Sequence, residues 1–389
     1  MFRLAFRSPK DFPRVLHLPT TVGGNPQAIS RQFSSQGIYS HSWAVSQNYF
    51  SFVADSYISS KEDSRLMLEA KRFLALRYVF LYDVIFFNYG QTLFPQLPRR
   101  HSFADQGILH ALAYQSYRTY LYCMQKIEIF LLLSLGRKLF VQYQGDDARQ
   151  GDYSLANFRI SIASQVNKSY YNKYSDALKR SQIKLFSKIC EKVYALNPDL
   201  LHVLPHRAEF LPYSSVDLAE IAPSFTQLED RPLRICHAPS HRAVKGTQII
   251  LDAFDRLKSE GYCFEVILVE KKPNSQAINL YRHADILVDQ LFAGWYGALA
   301  LEMMALGKPV VAYIRDEDMK HVPVEMYSDM PILNAEPGSV YDVIRRILEM
   351  PRIDLYRIAL KSRLYVERWH DPAAICGRLY SDILSSFSR

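Results

Sequence analysis

Two series of short apolar runs, each run followed by a longer helical pattern, are separated by a stretch in which Pro198, Pro205, Pro212 and Pro223 interrupt regular structure. Apolar runs too short for helices, alternating with stretches long enough to cross over a sheet, specify parallel strands joined by helices. The first series places strands at 14–19, 82–87 and 138–143, then a long basic helix at about 170–190 and a strand at 192–196. The second places strands at 233–237, 264–269, 286–288, 309–313 and 332–333, with helices at 246–260, 298–306, 340–349, 355–368 and 373–386. The expected fold is α/β, with two Rossmann-like doubly wound domains facing a central cleft lined by strand C-termini. Their expected boundaries are 1–205 and 206–372. Residues 373–389 form a terminal helix packing back on the first domain.

The length of 389 residues exceeds one ordinary domain, and 49% hydrophobic against 22% charged residues supplies two cores and excludes long disorder. The net charge of +8 is uneven: residues 1–205 carry 25 Lys+Arg against 14 Asp+Glu, and the remainder 22 against 25. A basic first half suits an anionic acceptor or an anionic membrane surface, unless its charges are merely solvated helix faces. Lys71, Arg72 and Arg77, or Lys179, Arg180 and Lys184, are the candidate membrane-facing cations. Nucleic acid is not expected as a partner, because neither a stacking platform nor a helix-turn-helix signature is present.

Five scattered cysteines without C-x-x-C spacing point to neither disulfides nor a zinc site, and suit a reducing cytosol. The first 14 residues lack the apolar core of a secretory signal. The most apolar run, 127–135, contains Glu128 and is shorter than the roughly 20 residues that span a bilayer. The expected location is cytoplasmic, peripheral on the inner face of the membrane.

The segment 284–311, ADILVDQLFAGWYGALALEMMALGKPVV, is strand, glycine-containing loop, helix and strand. Gly294 and Gly297 allow close backbone approach, and the amides from Trp295 to Ala298 open a helix whose N–H groups suit a diphosphate. Glu302, in the first turn or so of that helix, can accept both hydroxyls of a ribose; the plainer alternative is a surface acid. A second strand–loop–helix segment, 237–247, carries Ser240, Arg242 and Lys245. Two cations beside helix amides can neutralise a diphosphate, or sit solvated in a polar turn.

These two segments, in this order and spacing, resemble the retaining GT-B glycosyltransferases of family GT4 (glycosyl transferases group 1). That family shows a lysine-glycine pair opening the first helix of its C-terminal domain, and E-x7-E within E-G-F-G-x-x-x-x-E, ahead of M-A-x-G-x-P-V-V. Here Gly294-Trp-Tyr-Gly297 stands in the E-G-F-G place, and 302–311 matches the remainder of the motif. The resemblance covers about residues 233–370. It implies that Glu302 binds the ribose, Lys245 the diphosphate, and the Trp295–Ala298 amides the phosphate and sugar. Two departures stand out: the first glutamate falls at Gly294, and the arginine five residues before the lysine falls at Ser240, with Arg242 as a substitute. Asp289 is a candidate for the lost carboxylate, or a strand-end capping residue.

In the first half the likeness is looser. Gly23-Gly24-Asn25 matches a glycine-rich loop near the donor phosphates and acceptor. Asn88 ends a strand, and Gln144 stands where relatives carry a histidine. Asp146 and Asp147 come next; they orient an acceptor hydroxyl, with Asp146 as a catalytic candidate, or they cap a helix and pair with Arg149.

The implied function is a hexosyltransferase-type retaining glycosyltransferase, acting in polysaccharide biosynthesis. It moves a sugar from a nucleotide-sugar donor to a hydroxyl of a glycan, glycolipid or lipid-linked acceptor. No metal and no cofactor are expected, since Lys245, Arg242 and helix amides stabilise the leaving diphosphate. The alternative is a non-catalytic nucleotide-sugar-binding partner subunit, which Gly294 keeps open.

Overall fold

The computed structural model describes residues 12–47, 52–99 and 107–388, apart from 219, 227, 228, 230 and 273. In chain order the first elements are β1 (Val15–Leu18), α1 (Asn25–Ser35), β2 (Ser40–Ala44), β3 (Ser56–Tyr57), α2 (Arg65–Val79), β4 (Val84–Asn88) and α3 (Gly107–Ser134). They are followed by β5 (Lys138–Tyr143), α4 (Gly151–Asn157), α5 (Lys173–Ile189), β6 (Lys192–Ala195) and β7 (Glu209–Phe210). Next come β8 (Leu233–His237), α6 (Arg242–Lys245), α7 (Thr247–Ser259), β9 (Phe264–Leu268), α8 (Asn274–His283), β10 (Ile286–Val288), α9 (Ala298–Ala305) and β11 (Val310–Ala312). The chain ends with α10 (Val324–Asp329), β12 (Leu333–Asn334), α11 (Val340–Glu349), α12 (Arg352–Trp369) and α13 (Pro372–Phe387).

Two compact units result. One comprises the residues up to Gln150, Asn172–Leu211 and the chain from Pro372; the other comprises Gly151–Tyr171 and Pro212–Asp371. The first unit holds a sheet in the order β3-β2-β1-β4-β5-β6-β7 and the second a sheet in the order β12-β11-β10-β8-β9. Every strand pairing is parallel. The chain therefore has the α/β, doubly wound organisation expected of it, because strands buried on both faces, such as Val84-Ile-Phe-Phe87, read as unbroken apolar runs.

The strands at β2, β3 and β7 escape the sequence pattern. Ser40-His-Ser-Trp-Ala44 is too polar to read as a buried strand, yet Ser42 is buried because the Asp55 carboxylate accepts from its N–H at 2.7 Å and its hydroxyl at 2.8 Å. A second difference concerns 151–171, which the proline-rich stretch assigns to the first domain. In the structure Ile160, Ile162, Ala163 and Tyr171 enter the core of the second unit with Ile235, Phe254 and Ile286. Their spacing follows neither a strand nor a helix, so periodicity gives no sign of that burial.

Helix α13 returns to the first unit, where the Cys376 thiol donates to the Ile29 carbonyl of α1 at 3.7 Å. Tyr194 donates to Asp382 at 2.7 Å, tying the same helix to β6. Each sheet reverses its order of growth once: between β1 and β4 in the first unit, and between β8 and β10 in the second. Ligands of doubly wound sheets bind beyond the strand C-termini at such points. Among the described residues, no helix is long and apolar enough to cross a membrane.

Candidate functional site

At the switch point of the second unit, the loops after β8 and β10 meet. Lys245 Nζ donates to Asp289 Oδ1 at 2.7 Å and to Gln290 Oε1 at 2.9 Å. The lysine side chain is 11% exposed and the aspartate 1%, so this is a nearly dry pair. Asp289 Oδ2 is buried and accepts no hydrogen bond, an arrangement that leaves a lone acceptor beside a cation. Gly246 makes the approach feasible: its φ is +76°, and a Cβ there would lie 3.0 Å from the Phe292 ring and 3.2 Å from Leu291. His237, at the end of β8, bridges Val288 O at 2.8 Å and Thr247 Oγ1 at 2.9 Å, and burial lowers its pKa, so it fixes this corner as a neutral group.

Arg242 and Ser240 do not join the pair. Arg242 is held by Glu270 through two contacts of 2.8 Å, and Ser240 is exposed.

The loop 291–297 lies immediately after β10. Trp295 and Tyr296 are fully buried and stacked, with centroids 4.3 Å apart, so their side chains anchor the loop. Tyr296 Oη meets Tyr365 Oη at 2.8 Å and His370 Nε2 at 2.9 Å, and the other imidazole nitrogen of His370 contacts Tyr213 O at 2.8 Å. Burial pushes the His370 pKa down to about 4, keeping the ring neutral. Gly297 precedes α9 with no side chain capping the helix, and a Cβ on it would meet nothing within 4 Å. The amides opening at Ala298 are thus available to an anion. Glu302 lies on this helix, half-buried, near enough to Tyr281 to help raise its pKa after the dominant effect of burial.

Gly294, where the resemblance expects a glutamate, adopts φ +77°. A Cβ there would lie 2.6 Å from Arg315 Nη1. Arg315 is held by Asp318 at 2.8 Å and by Ile160 O at 2.7 Å, and its guanidinium lies 3.9 Å from the centre of the Phe158 ring. Nothing in the sequence announces this cluster, which joins residues more than 150 positions apart.

In the first unit the switch point gathers Gly23, Gly24, Asn25, Asn88 and Gln144. Gly23 and Gly24 have φ of +63° and +70°, and a Cβ on Gly23 would lie 3.7 Å from Gln144 Oε1. Asn25 donates to Gln142 Oε1 at 3.3 Å. Asn88 donates to Leu18 O at 3.3 Å, while its Oδ1 is buried and accepts no hydrogen bond. The two aspartates after β5 differ. Asp147 Oδ1 folds back to accept from the N–H groups of Gln144 at 3.1 Å and Gly145 at 2.7 Å, and burial raises its pKa to about 7. Asp146 pairs with Arg149 at 2.9 Å, and Arg149 in turn grips Asp199.

The basic clusters also divide. Arg72 is buried against Glu69 and Lys71 is held by Asp63, so neither is an open cation, unlike the exposed Arg77. On α5, Arg180 and Lys184 are exposed, whereas Lys179 donates to Arg149 O at 2.6 Å.

No known family matches the chain by sequence, and no curated protein does either. Its structure is similar to solved ones. Sucrose-phosphate synthase from Thermosynechococcus elongatus superposes with TM-score 0.58 at 13% identity, covering 96% of this chain and 100% of that one. The Anabaena protein HepE in complex with UDP-glucose gives 0.56 at 11% identity over 96% and 99%. A glycosyltransferase from Rickettsia africae gives 0.55 at 12% over 97% and 99%. At such identities the likeness is one of fold, and it extends over the whole chain: the two-domain α/β fold of the GT-B glycosyltransferases.

Proposed function

We propose that this chain is a glycosyltransferase that takes a sugar from a nucleotide carrier bound by its second unit. The observation that carries this reading is the nearly dry Lys245–Asp289 pair at the switch point, beside a glycine loop and the uncapped start of α9. A diphosphate suits that corner: Lys245 supplies charge, the amides from Ala298 supply donors, and Glu302 is placed on the same helix to receive ribose hydroxyls. UDP is the first carrier to test, since HepE, similar in fold, was crystallised with UDP-glucose.

In the proposed reaction the bond from the sugar's anomeric carbon to the diphosphate oxygen breaks. A bond to the acceptor hydroxyl oxygen forms on the same face, and the hydroxyl proton passes to the leaving phosphate. Retention, the GT4 assignment, the hexosyl class and independence from metal belong to this proposal. Asp289 Oδ2 is offered as the carboxylate that holds a hydroxyl of the transferred sugar, in place of the glutamate absent at 294.

An anionic membrane at the cytoplasmic face is the proposed setting. Helices α2, α3 and α5 lie side by side, joined by the Arg65–Tyr117 and Gln125–Gln182 contacts. Helices α2 and α3 expose Leu66, Phe73, Tyr122, Ile127 and Phe130, and α5 exposes Arg180 and Lys184. Sedimentation with phosphatidylserine vesicles at low salt tests this, and no binding removes the membrane from the proposal.

The experiment for the main reading is thermal unfolding against UDP-, GDP-, ADP- and CMP-sugars. A ligand at 100 times its Kd stabilises by about 2.7 kcal/mol. A shift with one nucleotide, lost in Glu302→Ala and Lys245→Ala, supports the donor site; no shift with any of them sinks it. The second reading is a non-catalytic nucleotide-sugar-binding subunit. It is favoured by Arg315 standing where the family's first glutamate would project, and predicts binding without turnover.

A further inference from the structure

Within the first unit lies a cavity of about 210 Å³, bounded by the turn after β4, by α3, by the loop after β5 and by α5. At about 30 Å³ per water it has room for roughly seven waters, enough for one small ring and too little for an extended ligand. Gln91, Gln96, Gln125 and Gln182 are among the residues that line it, and the Gln96 carboxamide is spent on the Phe94 and Leu121 carbonyls. Gln125 is 1% exposed and donates to Gln182 Oε1 at 2.9 Å, yet its own Oε1 is buried without a partner. A buried carboxamide oxygen left unpaired costs about 1–3 kcal/mol, so such a group calls for a donor.

The turn that carries Gln91 is built at some strain. Tyr89, a non-glycine residue, has φ +60°, and Gly90 follows at +54°, where a Cβ would lie 2.6 Å from the Tyr143 ring. Positive φ at a tyrosine is uncommon, and it persists where the surroundings enforce it.

The charges on the wall are already committed. Asp146 is held by Arg149, Asp147 by backbone N–H groups of its own loop, and Lys179 by the Arg149 carbonyl. Burial lowers the pKa of Lys179, against the nearby carboxylates, and raises that of Asp147 to about 7. A phosphate or carboxylate would meet one lysine here, Lys179, with Asp146, Asp147 and Asp176 already near it. Carboxamides, by contrast, offer a donor and an acceptor apiece, the complement of a hydroxyl that is both.

We propose that this cavity binds a single neutral polyhydroxylated ring, a monosaccharide unit or a cyclitol, through the carboxamides of Gln125, Gln182 and Gln91. That the ring is the terminal residue of the acceptor rests on the transferase reading; that the cavity takes such a ring does not. The proposal also narrows the acceptor class: the hydroxyl-bearing end is neutral, and any anionic or lipid portion lies outside the cavity.

The test is saturation-transfer NMR on the full chain with glucose, galactose, mannose, N-acetylglucosamine and myo-inositol, and with glucose 6-phosphate and glucuronate as charged counterparts. At least one neutral ring is expected to bind, with its charged counterpart at least tenfold weaker. Gln125→Met and Gln182→Met each remove a hydrogen-bonding group at nearly constant volume and are expected to weaken binding about tenfold. Gln182 is partly exposed, so its variant keeps the test decisive should the buried Gln125→Met misfold by circular dichroism. The proposal is overturned if no neutral ring binds, if the charged rings bind as well, or if both folded variants bind as the parent does. Thermal stabilisation by the four nucleotide sugars is measured alongside. Ring binding with no shift from any of the four nucleotide sugars would leave the cavity standing and sink the transferase reading; a nucleotide shift without ring binding would do the reverse.

Discussion

The guanidinium of Arg315 fills the space into which a side chain at Gly294 would grow, 2.6 Å from where its Cβ would stand. A glutamate cannot simply be placed at 294, because the arginine is fixed by Asp318, Ile160 O and the Phe158 face. The acid that holds the arginine, Asp318, stands three positions along the chain.

Gly294→Ala is therefore expected to destabilise the protein by about 3 kcal/mol, combining a left-handed backbone with a clash against a buried side chain. Denaturant unfolding reads this directly. A loss under about 1 kcal/mol would mean that Arg315 can move aside and that the corner is not rigid.

Asp289→Asn keeps an oxygen for Lys245 while removing the charge that now neutralises it. Calorimetry should show UDP binding severalfold tighter, since the diphosphate no longer competes with a carboxylate for the lysine. Transfer activity should fall, because the acceptor offered to the sugar is lost. Unchanged or weaker UDP binding would show that Lys245 does not meet the diphosphate.

Tyr296→Phe deletes a hydroxyl that joins Tyr365 and His370 in a fully buried site. The expected cost is about 1–3 kcal/mol, from partners left unpaired. Because Tyr296 anchors the glycine loop, affinity for the nucleotide should drop in the same variant. Affinity equal to the parent's would show that the loop keeps its shape without that anchor.

Stability should also respond to pH through Glu128, which burial raises from 4.5 to about 7 while Leu93 N–H donates to it at 3.1 Å. Below the unfolded value both states hold the proton and the group is silent. Between 4.5 and 7 the unfolded chain ionises first, so stability falls as pH rises, and above 7 the loss is complete. Glu128→Gln should remove this slope, gaining up to about 3 kcal/mol over the parent at pH 8 and nothing near pH 4. Parallel stability curves from pH 4 to 8 would refute it.

The placement of Lys245 and of the 294–298 loop was legible in the chain because each lies after a strand and opens a helix, and a doubly wound sheet delivers such positions to its switch point. That logic brings Lys245 and the Gly294–Ala298 loop into one unit, with Glu302 on the adjoining helix. Charge pairing is legible only at short range: the Asp146–Arg149 pair is one of the two readings the sequence offers, whereas Arg242 looks like a free cation there, yet Glu270, 28 positions on, engages it.

Alternation of short apolar runs with helical stretches was enough to specify two parallel sheets, since burial on both faces is written into consecutive residues. Local pattern reaches only a few positions along the chain. Bringing Arg315 to Gly294 and Phe158, Gln125 to Gln182, and 151–171 into the second core was left to the tertiary structure. Those contacts join segments whose separation in sequence has no periodicity to betray it, and packing alone decides which side chains share a dry space.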